Sequence, residues 1–498
     1  WKPPAPGPTL DLARAAEQVY AELHQDSAAR IETFVTLAAQ AERQRAAGAA
    51  PTHTPDALLA TAVSGWAKGK NGATPNPEAA LKLWRARELI LAYQRGETLN
   101  DRTALIGQFR RTPALPIDEI AQMISLLPPA DPEDLDARTG TPVPLGRLKD
   151  TGIYRRKTLP TLGFATGLDY LVRLPPEYHH GRAYPVIVLL THPGINTEDV
   201  LVPLIAEADR NGYILVVPEW SGLFGQGWAW KGEDHVWVTA ALRDAVRHFT
   251  VDNDRVFLVG VGEGANMAMD VGASHPDLFA GVIPMGPIPK WNGFFMEYWR
   301  NAQKLPFFVI TGEQTGVGIV NLRHIYEKWM PHGYPALWST YKGRGVEWFA
   351  AETPVMFDWM ARKTRVNGTA TLALGTGAAA RQPWQMLRDS DNRFYWLQAD
   401  KMSLGKVSGV PTPATILGDI RGSNFVDIRT ERVHQLTVWL SNEMIDWTKP
   451  VTVRINGSEV TGRKPPVVQP SLEILLEDYW DRGDRRMLFL NKLEFPVR

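Results

Sequence analysis

Residues Arg255–Ala268 read RVFLVGVGEGANMA. An apolar run, Val256–Val261, enters a tight glycine turn and leaves it as a segment rich in alanine and methionine. The apolar run predicts a buried strand and the segment after it a helix. The turn has the frame G-x-S-x-G, in which a nucleophilic serine stands between strand and helix. Here the frame is Gly260-Val261-Gly262-Glu263-Gly264, so glycine occupies the central position.

Working outward, β-rich runs recur at Leu168–Leu174, Pro185–Thr191, Tyr213–Pro218, Gly281–Met285, Pro306–Thr311 and Ala336–Tyr341, with helical stretches between most of them. Runs such as PVIVLL carry no polar alternation and read as strands covered on both faces. The expected class is α/β, a mostly parallel doubly wound sheet over residues 153–365. Residues 1–130 read as a helical domain behind a Pro-rich leader, with apolar residues at helical spacing in 10–24, 29–48 and 77–97, and shorter pieces at Thr103–Phe109 and Ile117–Leu127. Residues 131–152 and 366–384 read as linkers. Residues 385–498 read as a β-sandwich, with strand alternation extended to the segment SLEILLE and a hairpin turn at Asn456-Gly457.

The order strand, elbow, helix, then LPFFVITGEQTG and YKGRGVEWF, resembles the α/β-hydrolase superfamily over about residues 150–365, and in particular esterase- and polyhydroxybutyrate-depolymerase-like members. In such enzymes the acid and the histidine follow the nucleophile in chain order. Carried over position by position, the resemblance puts the nucleophile at Gly262, the acid at Thr315 and the histidine at Val346. None of these side chains performs the implied chemistry. A serine hydroxyl needs a base to take its proton, and the base needs a partner to fix its tautomer. Glu313 beside the acid position has no histidine to orient. The resemblance also puts an oxyanion region at His192, Gly194 and Glu263.

Other chemistry has little support in the residues. Ser221 lacks an elbow context. His179-His180 reads as a solvated turn. His235 and His248 are too far apart on one helix to share a metal, and no H-E-x-x-H spacing occurs, so neither metal nor cofactor is expected. GVGEGA lacks the full G-x-G-x-x-G spacing of dinucleotide sites. Two aromatic stretches remain. One holds Trp220, Phe224, Trp228, Trp230 and Trp237, the other Trp291, Phe294, Phe295, Tyr298 and Trp299. Large rings fill cores more often than they bind ligands. As a surface, Trp220, Trp228, Trp230, Trp291, Tyr298 and Trp299 would suit a protein partner or a polysaccharide.

The chain has 54 basic and 54 acidic residues, which gives no electrostatic footprint for nucleic acid. No apolar run reaches the length of a membrane span. The absence of cysteine excludes disulfides and thiolate chemistry. The start at Trp1 with WKPPAPGP is the pattern a removed export signal leaves, and export is the expectation. The functional expectation is a pseudo-esterase with a binding or assembly role. Its rivals are an active serine-type esterase or peptidase with an unrecognised nucleophile, and a carbohydrate-binding protein.

Overall fold

The computed structural model describes residues 8–111, 115–132, 147–148, 152–160, 166–192, 195–219, 231–289, 298–366, 382–407, 410–422 and 424–497. The N-terminal helices are α1 (Pro8–Glu22), α2 (Glu32–Ala46), α3 (Pro55–Lys68), α4 (Pro77–Arg95), α5 (Leu99–Arg111) and α6 (Ile117–Ile124). Helix α3 has no counterpart in the expected pattern. Its residues Ala60–Ala67 are buried all round, so it carries no polar stripe from which a helical period could be read. Its start is nonetheless capped in a recognisable way: the Thr54 hydroxyl accepts from the Ala57 amide at 3.2 Å, and proline follows.

The centre is a nine-stranded sheet of β1 (Arg147–Leu148), β2 (Ile153–Lys157), β3 (Asp169–Arg173), β4 (Tyr184–Leu190), β5 (Ile214–Pro218), β6 (Val251–Val261), β7 (Gly281–Met285), β8 (Phe307–Gly312) and β9 (Ala336–Tyr341), in the order β1-β2-β3-β5-β4-β6-β7-β8-β9. The first strands pair antiparallel; from β5 to β9 every neighbour is parallel. Crossover helices are α7 (Thr197–Asn211), α8 (Gly232–His248), α9 (Glu263–Ser274) and α10 (Val317–Trp329), and α11 (Thr353–Ala361) follows the last strand. Alternate strand residues feed two apolar layers. One contains Val186, Val188 and Leu258 against α8 and α9; the other contains Ile187, Leu189 and Val259 against α7 and α11. This is the α/β-hydrolase-like doubly wound sheet expected from the sequence.

Past the sheet come β10 (Trp384–Met386), β11 (Arg393–Phe394), β12 (Leu397–Met402), β13 (Gly405–Val407), β14 (Val410–Thr412), β15 (Ala414–Arg421), β16 (Phe425–Glu431), β17 (Val433–Leu440), β18 (Thr452–Ile455), β19 (Ser458–Glu459) and β20 (Asn491–Pro496). They form a five-stranded sheet β10-β15-β16-β18-β19, a four-stranded sheet β11-β12-β17-β20 and a short β13-β14 pair. Asn456 and Gly457 both have positive φ, as a two-residue hairpin requires, and join β18 to β19.

The segment SLEILLE corrects the expectation of a strand. It opens helix α12 (Leu472–Arg482), with Ser471 as its N-cap and left-handed Gly483 after its end. Seven residues are too few to separate the two periods. Extended to Tyr479, residues 472, 475, 476 and 479 follow the helical spacing. Leu475, Leu476 and Tyr479 pack with Ile90, Met123 and Ile124 of the N-terminal helices. The Glu477 carboxylate accepts from Arg102 and from the Tyr93 hydroxyl, so a C-terminal helix completes the N-terminal core.

Candidate functional site

The glycines of the elbow have different physical reasons. A Cβ on Gly260 would lie 2.1 Å from the Gly264 carbonyl oxygen, and one on Gly264 would lie 2.0 Å from the Leu190 carbonyl oxygen. Both flanking positions therefore need glycine for the strand, helix and neighbouring strand to approach. Gly262 is not crowded in this way. Among the described residues, a Cβ there would meet only Val346 Cγ1, at 3.6 Å. Its backbone, however, has φ 59° and ψ −118°, a conformation that side chains other than glycine adopt at a cost. The turn has the strained geometry of an elbow and space for a side chain.

Val346 lies over the ends of β6 and β7. Its Cγ1 is 2.9 Å from where a Cβ on Gly286 would stand, and it is 43% exposed. The loop carrying Thr315 is bound to the turn before Val346: the Gln314 amide donates to the Arg344 carbonyl at 2.8 Å, and the Gly343 amide donates to Glu313 Oε2 at 3.0 Å. Thr315 is buried, and its hydroxyl donates to the Gly312 carbonyl at 2.7 Å. Gly262 and Val346 are thus direct neighbours, and Thr315 belongs to the loop fastened beside them. The Glu313 carboxylate is exposed and engaged with the Gly343 amide. Arg344 holds Glu347 in a bidentate pair, and that hydrogen bonding lowers the Glu347 carboxyl below its usual range.

At the first turn of α9 the Glu263 carboxylate accepts from Asn266 Nδ2 at 3.0 Å, while Asn266 Oδ1 accepts from the Ile288 amide at 2.9 Å. His192 is exposed at the end of β4. Gly194 lies outside the described residues, as do Ser221, Trp220, Phe224, Trp228, Trp230, Trp291, Phe294 and Phe295.

Two sequence expectations need correction. Tyr298 and Trp299 are core residues, not an exposed platform: Tyr298 is fully buried, its hydroxyl donating to Asp391 Oδ2 at 2.6 Å and accepting from the Leu387 amide at 2.7 Å. Trp299 is buried with them, as is Trp237. His179-His180 is not a solvated turn. The His179 ring stacks on His24 at 3.4 Å and contacts Asp26 Oδ2 at 3.1 Å, which ties the N-terminal helices to the sheet. His180 lies against the Tyr178 hydroxyl, and burial pushes its imidazole down to about 4. His235 and His248 stand at opposite ends of α8, as their spacing implies, and His235 meets His275 and Asp391, which come from other segments.

That meeting is a buried polar cluster at the far end of α9. His235 Nε2 is 3.0 Å from Asp270 Oδ2, and His235 Nδ1 is 3.1 Å from His275 Nε2 and 3.6 Å from Asp391 Oδ1. Arg388 donates two hydrogen bonds to Asp270, at 2.7 and 2.8 Å, and one to Asp391, at 2.6 Å. Burial alone would raise the Asp270 carboxyl, yet Arg388 and His235 hold it well below the usual range. Burial lowers the His275 imidazole to about 4. No spacing rule joins positions 235, 275 and 391, so sequence reasoning missed the cluster. A separate pair, Ser403 Oγ and His434 Nε2 at 2.5 Å, lies exposed on the sandwich. Among the described residues no carboxylate is hydrogen-bonded to the other ring nitrogen of His434, so the pair lacks an orienting acid.

No family model matches the chain, and no curated protein matches it. Solved structures match part of the chain at low similarity. A thermostable esterase is 16% identical over 43% of this chain and 64% of its own, with a TM-score of 0.36. A ferulic acid esterase is 18% identical over 42% of this chain and 97% of its own, also at 0.36. An S-formylglutathione hydrolase from Agrobacterium tumefaciens is 15% identical over 44% of this chain and 98% of its own, again at 0.36. Similarity at this level carries no inference about activity.

Proposed function

We propose that this chain is a non-catalytic homologue of the α/β-hydrolases that keeps the fold for a binding or assembly role. One observation carries the reading. Position 262 has the backbone of a nucleophile elbow and room for a side chain, yet it is glycine, and the neighbour it would face is the apolar Val346. Glycine supplies no nucleophile, and valine cannot take or give a proton. Thr315, at the position of the acid, uses its hydroxyl to close its own turn. A substitution at one position could be offset by a displaced group; substitution of all three removes nucleophile, base and orienting acid together. The burial of Tyr298 and Trp299 weighs against those two rings serving as a carbohydrate platform.

The reading is tested by turnover. The purified chain is assayed with activated acyl esters of short and aromatic acids and with peptide anilides. Rates equal to those of a Gly262→Ala variant and of buffer are expected. Saturable turnover by the wild-type chain would show that a nucleophile and base exist elsewhere.

A further inference from the structure

We propose that His235 Nδ1, His275 Nε2 and Asp391 Oδ1 form a binding site for one divalent cation of the zinc class, which staples α8 and α9 to the strand segment that begins the C-terminal sandwich. The inference is independent of whether the mouth of the sheet is catalytic.

Geometry is the first support. The three ligand atoms lie within 4.8 Å of one another, with His235 Nδ1 at 3.1 Å and 3.6 Å from the other two. Tetrahedral zinc with bonds of about 2.0–2.1 Å separates its ligand atoms by about 3.3 Å. The observed spacings need adjustments of tenths of an ångström at His235 and a closing of the His275–Asp391 edge.

The surrounding hydrogen bonds are the second support. The Asp270 carboxylate can only accept, so the proton of a neutral His235 ring sits on Nε2 and the lone pair of Nδ1 is directed at His275 and Asp391. A carboxylate holding the distal ring nitrogen is the arrangement that orients histidine ligands in zinc sites. Arg388 fixes Asp270 from the other side, and Arg388, Tyr298 and Ser390 all hydrogen-bond to Asp391.

Charge is the third. The Asp270 and Asp391 side chains are 0% exposed, and Arg388 neutralises only one of them. Counted over Arg388, Asp270 and Asp391 with both imidazoles neutral, the formal charges sum to −1, and burial favours added positive charge beside them. A proton shared by the two histidines or a cation bound between them would supply it. The nitrogen-rich ligand set favours zinc, cobalt or nickel over calcium or magnesium. His275 retains partial exposure, which leaves an ion a way in.

The full chain is stripped with dipicolinate, dialysed and titrated with Co²⁺ and then Zn²⁺. The chain has no cysteine, so any visible cobalt band reports nitrogen and oxygen ligands. One Co²⁺ per chain with a tetrahedral ligand-field spectrum, displaced by one Zn²⁺, is expected, together with a rise in Tm. His275→Gln should abolish saturable binding and Asp391→Asn should weaken it at least tenfold, while His248→Gln on the same helix should leave it unchanged. His24→Gln tests the surface group of His24, Asp26 and His179, and loss of binding in that variant alone would overturn the assignment. If the His275 and Asp391 variants do not fold, X-ray absorption of the zinc-loaded His24→Gln chain decides, since that variant removes the surface group with the same ligand set. Two imidazoles and oxygen around zinc in that chain support the site. Any other ligand set, or less than one ion per chain, overturns it in favour of a shared proton.

Discussion

Helix α9 has a different environment at each end. Its N-terminus is the elbow, where Gly262, Gly286 and Val346 offer no ionisable group. Its C-terminal turn, about 15–18 Å away by helix geometry, carries Asp270 and Ser274 and leads into His275. Both Asp270 and Ser274 receive hydrogen bonds from Arg388. In a working hydrolase the titratable groups concentrate at the elbow, where perturbed groups do chemistry. Here the buried titratable groups sit at the opposite end, in a junction between domains. A perturbed pKa alone does not locate a catalytic site, and here His235, Asp270 and Asp391 are buried against Tyr298, Arg388 and the sandwich lead-in, with His275 partly exposed.

The largest expected effect lies at the polar end. Arg388→Met leaves Asp270 and Asp391 buried without their guanidinium, and breaking a buried ion network costs about 3–5 kcal/mol. Urea unfolding of the full chain, followed by the signal of the sheet domain, measures it. A loss under about 1 kcal/mol would mean that the cluster is compensated by other groups.

At the apolar end two glycines separate strain from crowding. Gly286→Ala meets both, with positive φ and Val346 Cγ1 at 2.9 Å, and should cost about 2–4 kcal/mol. Adding Val346→Ala should recover part of that loss, since it removes the 2.9 Å contact and leaves the strain and the approaches of the residue 346 Cα and Cβ at 3.2 and 3.3 Å. Full recovery would show that backbone strain contributes nothing there.

Gly262→Ser meets strain alone and should cost about 1–3 kcal/mol. By itself it should give no esterase, since Val346 cannot accept the serine proton. Gly262→Ser with Val346→His and Thr315→Asp should show a burst with an activated ester. A burst from the single variant would mean that a base already faces position 262.

The smallest effect is a pH slope outside both ends. His180 has its imidazole lowered by burial to about 4, against about 6.5 in the unfolded chain. Between those values the unfolded chain binds the extra proton. The contribution is therefore complete above about pH 6.5 and is lost as pH falls toward 4, by an amount on the order of 1–2 kcal/mol after allowance for partial exposure. His180→Gln should flatten the stability–pH curve in that window. An unchanged slope would assign it to other histidines.

Much of the sheet was legible because its central strands are covered on both faces and stand out as uninterrupted apolar runs; Gly281–Met285 matches the observed β7 residue for residue. The elbow was legible because close approach forces glycine at 260 and 264, which leaves a fixed frame around position 262. Helix α3 was not legible, since burial on all sides erases the period that marks a helix. Helix α12 was misread because a seven-residue window of Leu, Ile and Glu fits either period. The polar cluster was invisible for a different reason. Residues 235, 270, 275, 388 and 391 come together only through the packing of α8, α9 and the sandwich lead-in, and no local pattern encodes that contact.

The central claim, that no activated nucleophile operates in this chain, is met most directly by a serine-directed fluorophosphonate probe on the intact protein, read by intact mass. The account predicts no adduct at concentrations that label a working serine esterase to completion. A stoichiometric adduct mapped to one residue, whether Ser221, Ser403 or another, would contradict it and name the nucleophile.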